Sequence, residues 1–540
     1  MNKKIESIKQ SATYFSQFSI WEILLIFFIL TTYFFIFISL QYLPIYDIFI
    51  NNGDILLIEY VARSLNAGSD LLSWRLTQAP YLFPDIFIAR ILAALNLPAG
   101  QIAIYYHAIF GIIALTLISW LCKLSKISAT TPILFAALVY SFSYYGLLSS
   151  DIISVYFGLI GNHSGNIIPT LLCIISTILF FQNKSLEAPI FLLLFSSLFL
   201  GTISDSLIIL AFIPFTTLFI LLCLIKKEET LPRTLAFFSV MLSAIILGKM
   251  YSFITPFAQD RDFFKFIIAR LSSSTVELSV KLFARDFVYY FFKSYISALI
   301  AVMFFSSFTL SLIQLISVMR TKNTFKTPVI FLSLFVIISP LIVIFTQIGL
   351  GIYGSASHSR QWSPLIYLAI VFGIIILLNK FESKKWIVQA SITVLAALLL
   401  ILLTKALSHN RGVTRDNNVF SSFIACMKEN HLPTGAYYMS DYWPEIPIRL
   451  YSNNEFLVIA ANRFFDIWTP GSDVAQDRKI SPKFIITGYD IDEKNVIKKL
   501  GSPEKIYCRM DIAGNKMSIL DYSHNEKVKA FLKEKAMKSN

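Results

Sequence analysis

Charge is what this sequence has least of. Of its 540 residues, 15% are Asp, Glu, Lys or Arg, where an ordinary soluble chain has about 25%. So few charges cannot cover a surface in contact with water. The hydrophobic share of 56%, with 49 Phe, leaves most of the chain facing lipid or its own interior. Soluble multidomain, fibrous and disordered readings are thereby excluded. Nucleotide-binding signatures are missing too, since there is no GxxxxGK(S/T) loop and no GxGxxG after a strand. That argues against a nucleotide-driven pump and against a cytosolic nucleotide-sugar enzyme. There is no close-spaced metal motif such as HExxH, and no internal repeat of the kind many transporters are built from.

The charges that are present are unevenly spread. Residues 406–540 hold 19 Lys/Arg and 16 Asp/Glu, a soluble density, while residues 1–405 hold only 27 and 17. The chain is expected to divide into a membrane domain, 1–405, and a water-exposed domain, 406–540. A spanning helix needs about 20 apolar residues. Eleven stretches qualify: 19–42, 102–122, 129–148, 166–182, 188–204, 206–225, 234–255, 294–318, 328–350, 364–379 and 386–405. Lys and Arg favour cytoplasmic loops. With the N-terminus in the cytoplasm, 15 basic residues fall in short inside segments, Lys123, Lys126, Lys226, Lys227 and Lys380 among them, and none in the outside connection 149–165. Eleven is odd, so residues 406–540 are expected outside the cytoplasm. Much of the net charge of +13 is then topological bias, not a nucleic-acid footprint. Residues 19–42 are too long for the core of a cleavable signal peptide, so the first helix is expected to remain as an anchor.

Three outside segments, 43–101, 149–165 and 256–293, are too long to be simple connectors, and such loops are usually functional. The first contains two short amphipathic helices, Asp54 to Leu65 and Asp85 to Leu95, joined by a Pro-containing stretch. Both are too short to span and are expected to lie along the outer membrane surface. His163 sits in Gly161-Asn162-His163-Ser164-Gly165, where flanking glycines let the backbone approach a ligand. It binds a metal, orients an acceptor, or is simply a solvated loop histidine. Asp151 opens the same loop, and Asp54, Asp151 and His163 would make a divalent-metal site if the fold brought them together. Asp205 interrupts two spans at Ser204-Asp205-Ser206. An acid at the membrane boundary is a functional candidate, or else a polar turn residue. Arg360 is the only Lys or Arg of the last short outside loop, and its two parallel donors suit a phosphate. Lys249, near the outer end of the seventh span, is a second phosphate ligand or a snorkelling lysine. Arg261, Lys265 and Arg270, about a helical turn apart, suit anionic lipid headgroups.

The layout of an anchor helix, a long outside loop with two juxtamembrane helices, many further spans and a C-terminal outside domain resembles the GT-C superfamily of integral-membrane glycosyltransferases. Protein O-mannosyltransferases and aminoarabinose transferases have this architecture. The local features that carry the resemblance are Asn52-Gly53-Asp54 leading into Glu59-Tyr60-Val61-Ala62-Arg63, and Ala79-Pro80-Tyr81-Leu82-Phe83-Pro84 before the second surface helix. Many members have two adjacent acids where this chain has Asp54 followed by Ile55. The resemblance implies a polyprenyl-phosphate-linked sugar donor and an envelope glycan, lipid or protein acceptor at the outer face of the inner or plasma membrane. An inverting transfer needs a carboxylate to take the acceptor's proton and positive groups for the departing phosphate. Asp54 is the expected base, with Asp47 second. The alternative reading of Asp54 is a helix N-cap. Arg360 is the expected phosphate ligand, and a divalent metal is left open. Two rival readings are a transporter of lipid-linked glycans and a non-catalytic envelope scaffold of the same architecture.

Residues 412–540 are expected to form a small α+β unit. A helix from Ser421 to Glu429 leads it, and strand-like runs follow at Ala436–Met439, Phe456–Ala460, Lys483–Thr487, Lys505–Asp511 and Lys516–Asp521. Tyr437, Tyr438, Tyr442, Trp443 and Trp468 line a sugar platform or form the core. Cys426 and Cys508 are its only two cysteines. An oxidising compartment permits a disulfide between them, with two buried thiols as the alternative.

Overall fold

The structure, a computed structural model, describes residues 19–39, 53–71, 74–75, 81–149, 163–182, 187–254, 273–320, 327–354, 360–381, 384–408, 419–434, 437–440, 442–461, 472–473, 482–488, 491–512 and 515–538. Each of the eleven apolar stretches overlaps a helix among the described residues. Among the described residues, eight helices are long and apolar enough to cross a membrane. In chain order the membrane part has α1 (Ile20–Ile38), the loop helices α2 (Gly53–Asn66) and α3 (Phe87–Ala93), α4 (Ile102–Leu124), α5 (Thr130–Ser149), α6 (Ile167–Gln182) and α7 (Glu187–Ser204). It continues with α8 (Leu207–Ile225), α9 (Leu231–Ile254), α10 (Ser273–Phe292), α11 (Tyr295–Arg320), α12 (Pro328–Gly349), α13 (Ser363–Phe381) and α14 (Lys385–Ser408). The eight are α1, α4, α6, α8, α9, α11, α12 and α13, while α5, α7 and α14 carry shorter apolar stretches.

Burial separates the centre of the bundle from its rim. The apolar window of α6 is 94% buried, against 28% for α1 and for α9. Leu24, Phe27, Leu242, Ile246, Val302 and Ile313 are exposed on the rim helices α1, α9 and α11, as a lipid-facing surface requires. At one end of the bundle, Lys123 at the end of α4 bonds both carboxylate oxygens of Glu22 in the first turn of α1 at 2.8 Å. Gln182 Nε2 donates to Leu124 O there, at 3.1 Å.

The first loop differs from a pair of exposed surface helices. Ile55, Leu56, Ile58, Val61 and Ala62 of α2 are each at most 1% exposed. The helix is covered on its far side by α16 (Tyr442–Tyr451) of the C-terminal unit, whose Ile446 and Leu450 join the same core as the membrane helices. An apolar stripe expected to meet lipid meets protein instead. The second helix also begins differently: a π-helical turn, Leu82–Ile86, precedes α3 and holds Asp85 fully buried.

The C-terminal unit contains α15 (Val419–Glu429), β2 (Tyr437–Ser440), α16, β3 (Leu457–Ala460), β5 (Phe484–Thr487), α17 (Glu493–Leu500), β6 (Lys505–Ile512), β7 (Asn515–Asp521) and α18 (Glu526–Lys538). Its sheet has the order β3-β2-β5-β7-β6, with β3, β2 and β5 parallel and β7 antiparallel to both neighbours. The five strands match the five expected runs, and α16 and α17 are additions. Alternation along the strands gives two cores. Tyr438, Phe484, Ile486 and Ile519 pack under α15, and Met439, Ile485 and Leu520 pack under α17 and α18. Tyr438 is therefore core rather than sugar platform. Burial pushes its phenol well up from its ordinary value. Trp468 and the side chains of Tyr437, Tyr442 and Trp443 lie outside the described residues. Cys426 and Cys508 form a disulfide that ties α15 to β6, with Cα atoms 5.7 Å apart. A further two-residue ladder pairs β1 (Trp74–Arg75) in the first loop with β4 (Ser472–Asp473). Among the described residues, the first loop and the C-terminal unit are joined through that ladder and through α2 on α16.

Candidate functional site

The site is built where the first loop, the second loop and the α7–α8 corner meet. The corner comes first. Helix α7 stops at Ser204, Asp205 N donates to Gly201 O at 2.7 Å, and the Asp205 carboxylate turns back to accept from Leu207 N at 3.0 Å. Gly201 makes the corner tight. A Cβ there would stand 2.6 Å from Ile208 Cδ1 and 3.2 Å from Pro169 of α6. The absence of that Cβ brings the start of α6 against the corner.

The second loop reaches the corner from α6. His163 has a left-handed backbone, φ 65°, and opens a 3₁₀ turn, Ser164–Asn166, that runs directly into α6. This turn delivers two side chains to one carboxylate oxygen. His163 Nδ1 lies 2.5 Å from Asp205 Oδ2, and Asn166 Nδ2 donates to the same oxygen at 2.6 Å. His163 is 8% exposed and Asp205 6%. A carboxylate at Nδ1 fixes the ring's tautomer and orientation and leaves the Nε2 lone pair to accept a proton. Among the described residues, nothing hydrogen-bonds to His163 Nε2.

The first loop closes the site from its other side. Tyr81, also left-handed at φ 52°, donates its N–H to Ser204 O at 3.1 Å, and Phe83 N–H donates to Ser204 Oγ at 3.0 Å. The Tyr81 ring then meets the His163 ring edge-on at 5.7 Å. Two residues beyond Phe83, Asp85 accepts the hydroxyl of Tyr106 from α4. Gly165 lies so close to Asp85 that a Cβ would stand 2.6 Å from Oδ1. Lys249, exposed on α9, donates to Ser206 Oγ at the same corner and lies within Coulombic range of Asp205.

The structure therefore joins three of the expected site residues, His163, Asp205 and Lys249. Arg360 is half-buried at the turn into α13, and the cluster is built without it. Asp54 is the second residue of α2 as described; its carboxyl lies outside the described residues, as do Asp47, Asp151, Arg261, Lys265 and Arg270. Among the described residues, no group of three or more His, Cys, Asp or Glu could hold a metal ion. Sequence reasoning missed Asp85, Tyr106 and Asn166. Asn166 follows His163 by three residues, one 3₁₀ turn, and Asp85 follows the Pro-containing stretch already singled out. Tyr106 sits within an apolar span and gives no such signal.

Helix α2 is tied to the end of the first loop. Glu59 Oε1 accepts from Arg63 Nε at 2.9 Å, from Arg63 Nη2 at 2.7 Å and from Gly100 N at 2.9 Å. Burial pushes the Glu59 carboxyl up from its ordinary value, against the opposing pull of the Arg63 guanidinium. No protein-family model matches the chain, and no curated protein matches it either.

Proposed function

We propose that the protein is a GT-C-type glycosyltransferase that moves a sugar from a polyprenyl-phosphate carrier to an envelope acceptor at the outer face of the membrane. In this reading α5, α7 and α14 complete eleven crossings. The N-terminus is cytoplasmic, and the His163 cluster and the C-terminal unit lie outside. The observation that carries it is the pairing of His163 with Asp205 beside Lys249, at the junction of two loops and the corner of two apolar helices. His163 Nε2 takes the proton of the acceptor hydroxyl while Asp205 stabilises the imidazolium that forms. The acceptor oxygen bonds to the anomeric carbon, the bond from that carbon to the phosphate oxygen breaks, and the polyprenyl phosphate leaves as an anion. Lys249, exposed in the last two turns of α9, offsets that charge, and Arg360 is the second candidate for it. Asp54, in the first turn of α2, remains the alternative base.

The test is a comparison of envelope glycans by mass spectrometry in a strain lacking the gene, restored with wild type, His163→Ala, Asp205→Asn or Asp54→Asn at matched protein level. One sugar should vanish on deletion, return with wild type and stay missing with the His163 and Asp205 variants. If only Asp54→Asn fails to restore it, the base assignment is wrong. If deletion alters no glycan, the transferase reading falls, and the transport and scaffold readings replace it.

A further inference from the structure

A second cavity, sharing no residue with the His163 cluster, opens between the membrane part and the C-terminal unit. It measures about 330 Å³ and lies between α2, the β1 residue Trp74 and the end of α16. That volume falls in the range of roughly 300–1,000 Å³ occupied by small-molecule sites. Its walls are held from both sides. Tyr60 OH donates to Asn454 Oδ1 at 2.9 Å, and the Arg449 guanidinium lies over the Tyr60 ring at 5.1 Å.

The lining is rich in donors that the protein does not use. Asn453 and Asn454 are consecutive left-handed residues, φ 52° and 61°, directly after α16. Among the described residues, the Asn454 amide nitrogen, the Asn453 side chain, Arg63 Nη1 and the Ser64 and Ser69 hydroxyls have no hydrogen-bond partner. The indole N–H of Trp74, which also lines the cleft, is buried and meets no acceptor among the described residues. Buried polar groups are usually satisfied, so an indole left unpaired beside a cleft of this size points to a partner that occupies it.

The chemistry of the lining selects the ligand. Among the described residues no carboxylate lines the cleft, and its two guanidiniums are already paired, Arg63 with Glu59 at 2.7 Å and Arg449 with Glu445 at 3.5 Å. A phosphate would meet little uncompensated positive charge. The apolar side chains Trp74 and Leu450 are 1% and 4% exposed, which leaves no open apolar pocket for a peptide side chain. What remains is a set of neutral amide, hydroxyl and N–H groups around a mixed surface, suited to the hydroxyl oxygens of a sugar. We propose that this cleft is a saccharide-binding site that takes a neutral glycan of about two rings. Its use in holding an acceptor glycan rests on the transferase reading, whereas the binding itself does not.

Saturation-transfer NMR on the full chain in nanodiscs tests this, with chitobiose, cellobiose, inorganic phosphate and trialanine as probes. Wild type should transfer saturation to at least one disaccharide and to neither of the other probes. Ala67→Trp, which fills the cleft from an exposed lining position, should weaken that binding by about tenfold or more, and so should Asn453→Gly, which removes the exposed amide and keeps the left-handed backbone. His163→Ala should bind the disaccharide as wild type does, even where it abolishes transfer. No transfer to either disaccharide overturns the proposal, as does binding retained in both cleft variants. Binding of phosphate or trialanine without a disaccharide overturns it in favour of an anion or peptide site.

Discussion

Gly165 is where the proposed site is least able to give, and Gly165→Ala tests its geometry with one methyl group. The backbone there is not left-handed, so alanine is conformationally acceptable and space alone decides. The added Cβ would stand 2.6 Å from Asp85 Oδ1 and 3.1 Å from both Cγ and Oδ2. Ordinary van der Waals contact begins near 3.4 Å, so something must yield by about 0.8 Å. Asp85 is fully buried and tied to Tyr106, and Gly165 sits between His163 and Asn166, which are tied to Asp205. Either the first loop or the histidine turn must move. Overpacking of this kind costs about 1–3 kcal/mol, and a misplacement approaching 1 Å costs about 10²-fold in rate. Gly349→Ala is the control, because nothing lies within 4 Å of its Cβ position, and a change there stays within about 0.5 kcal/mol. Both variants would be melted in detergent and scored for restoration of the envelope glycan. Gly165→Ala should melt several degrees lower and restore poorly. If it matches Gly349→Ala in both assays, the close approach of the two loops is wrong.

Three other outcomes follow from the geometry. His163→Ala and Asp205→Asn should each lower turnover by about 10²–10⁴-fold, and the double variant should be little worse than either single one; additive losses would mean the two do not act as a unit. Replacing Cys426 and Cys508 by Ser opens a loop spanning 82 residues, which loop-closure entropy values at up to about 4.5 kcal/mol. Thermal melting of the C-terminal unit should fall accordingly, and an unchanged melt would contradict the tie between α15 and β6. Burial alone would raise the Glu493 carboxyl, but hydrogen bonds from Arg509 and Ser518 outweigh it and hold the group below its ordinary value. Its contribution to stability is therefore present above the ordinary carboxylate range and lost as the pH falls through the lowered value. Glu493→Gln should flatten that acid limb in melting curves taken from about pH 6 to about pH 3, and an unaltered limb would assign it to other groups.

Elements whose identity rests on local pattern were legible. Each of the eleven apolar stretches overlaps a helix, and each of the five strand runs of the C-terminal unit overlaps a strand, because hydrophobic length and alternation carry that information within a few residues. Helix α16 was not legible. It holds Pro444 and Pro447, and its apolar face becomes sensible only against α2, hundreds of residues earlier in the chain. The same holds for the surface-helix expectation for α2, whose amphipathic pattern is equally compatible with a lipid face or a protein face. In the site, His163, Asp205 and Lys249 stood out as polar groups at the ends of apolar runs. Their meeting depends on Gly201 and Gly165, whose missing side chains matter only once α6 and the α7–α8 corner are packed. Asp85 looked like the polar start of an amphipathic helix because nothing local reveals that Tyr106 will reach it from α4.

In the proposed reaction the His163 cluster moves a sugar off a polyprenyl phosphate. The most direct measurement reconstitutes the full chain in liposomes made with the lipid extract of its native envelope and quantifies free polyprenyl phosphate by mass spectrometry over time. Wild type should release it steadily in the presence of envelope acceptor, and His163→Ala should release it about 10²-fold more slowly or worse. Equal release by the two proteins, or none by wild type with extract and acceptor both present, would contradict the account.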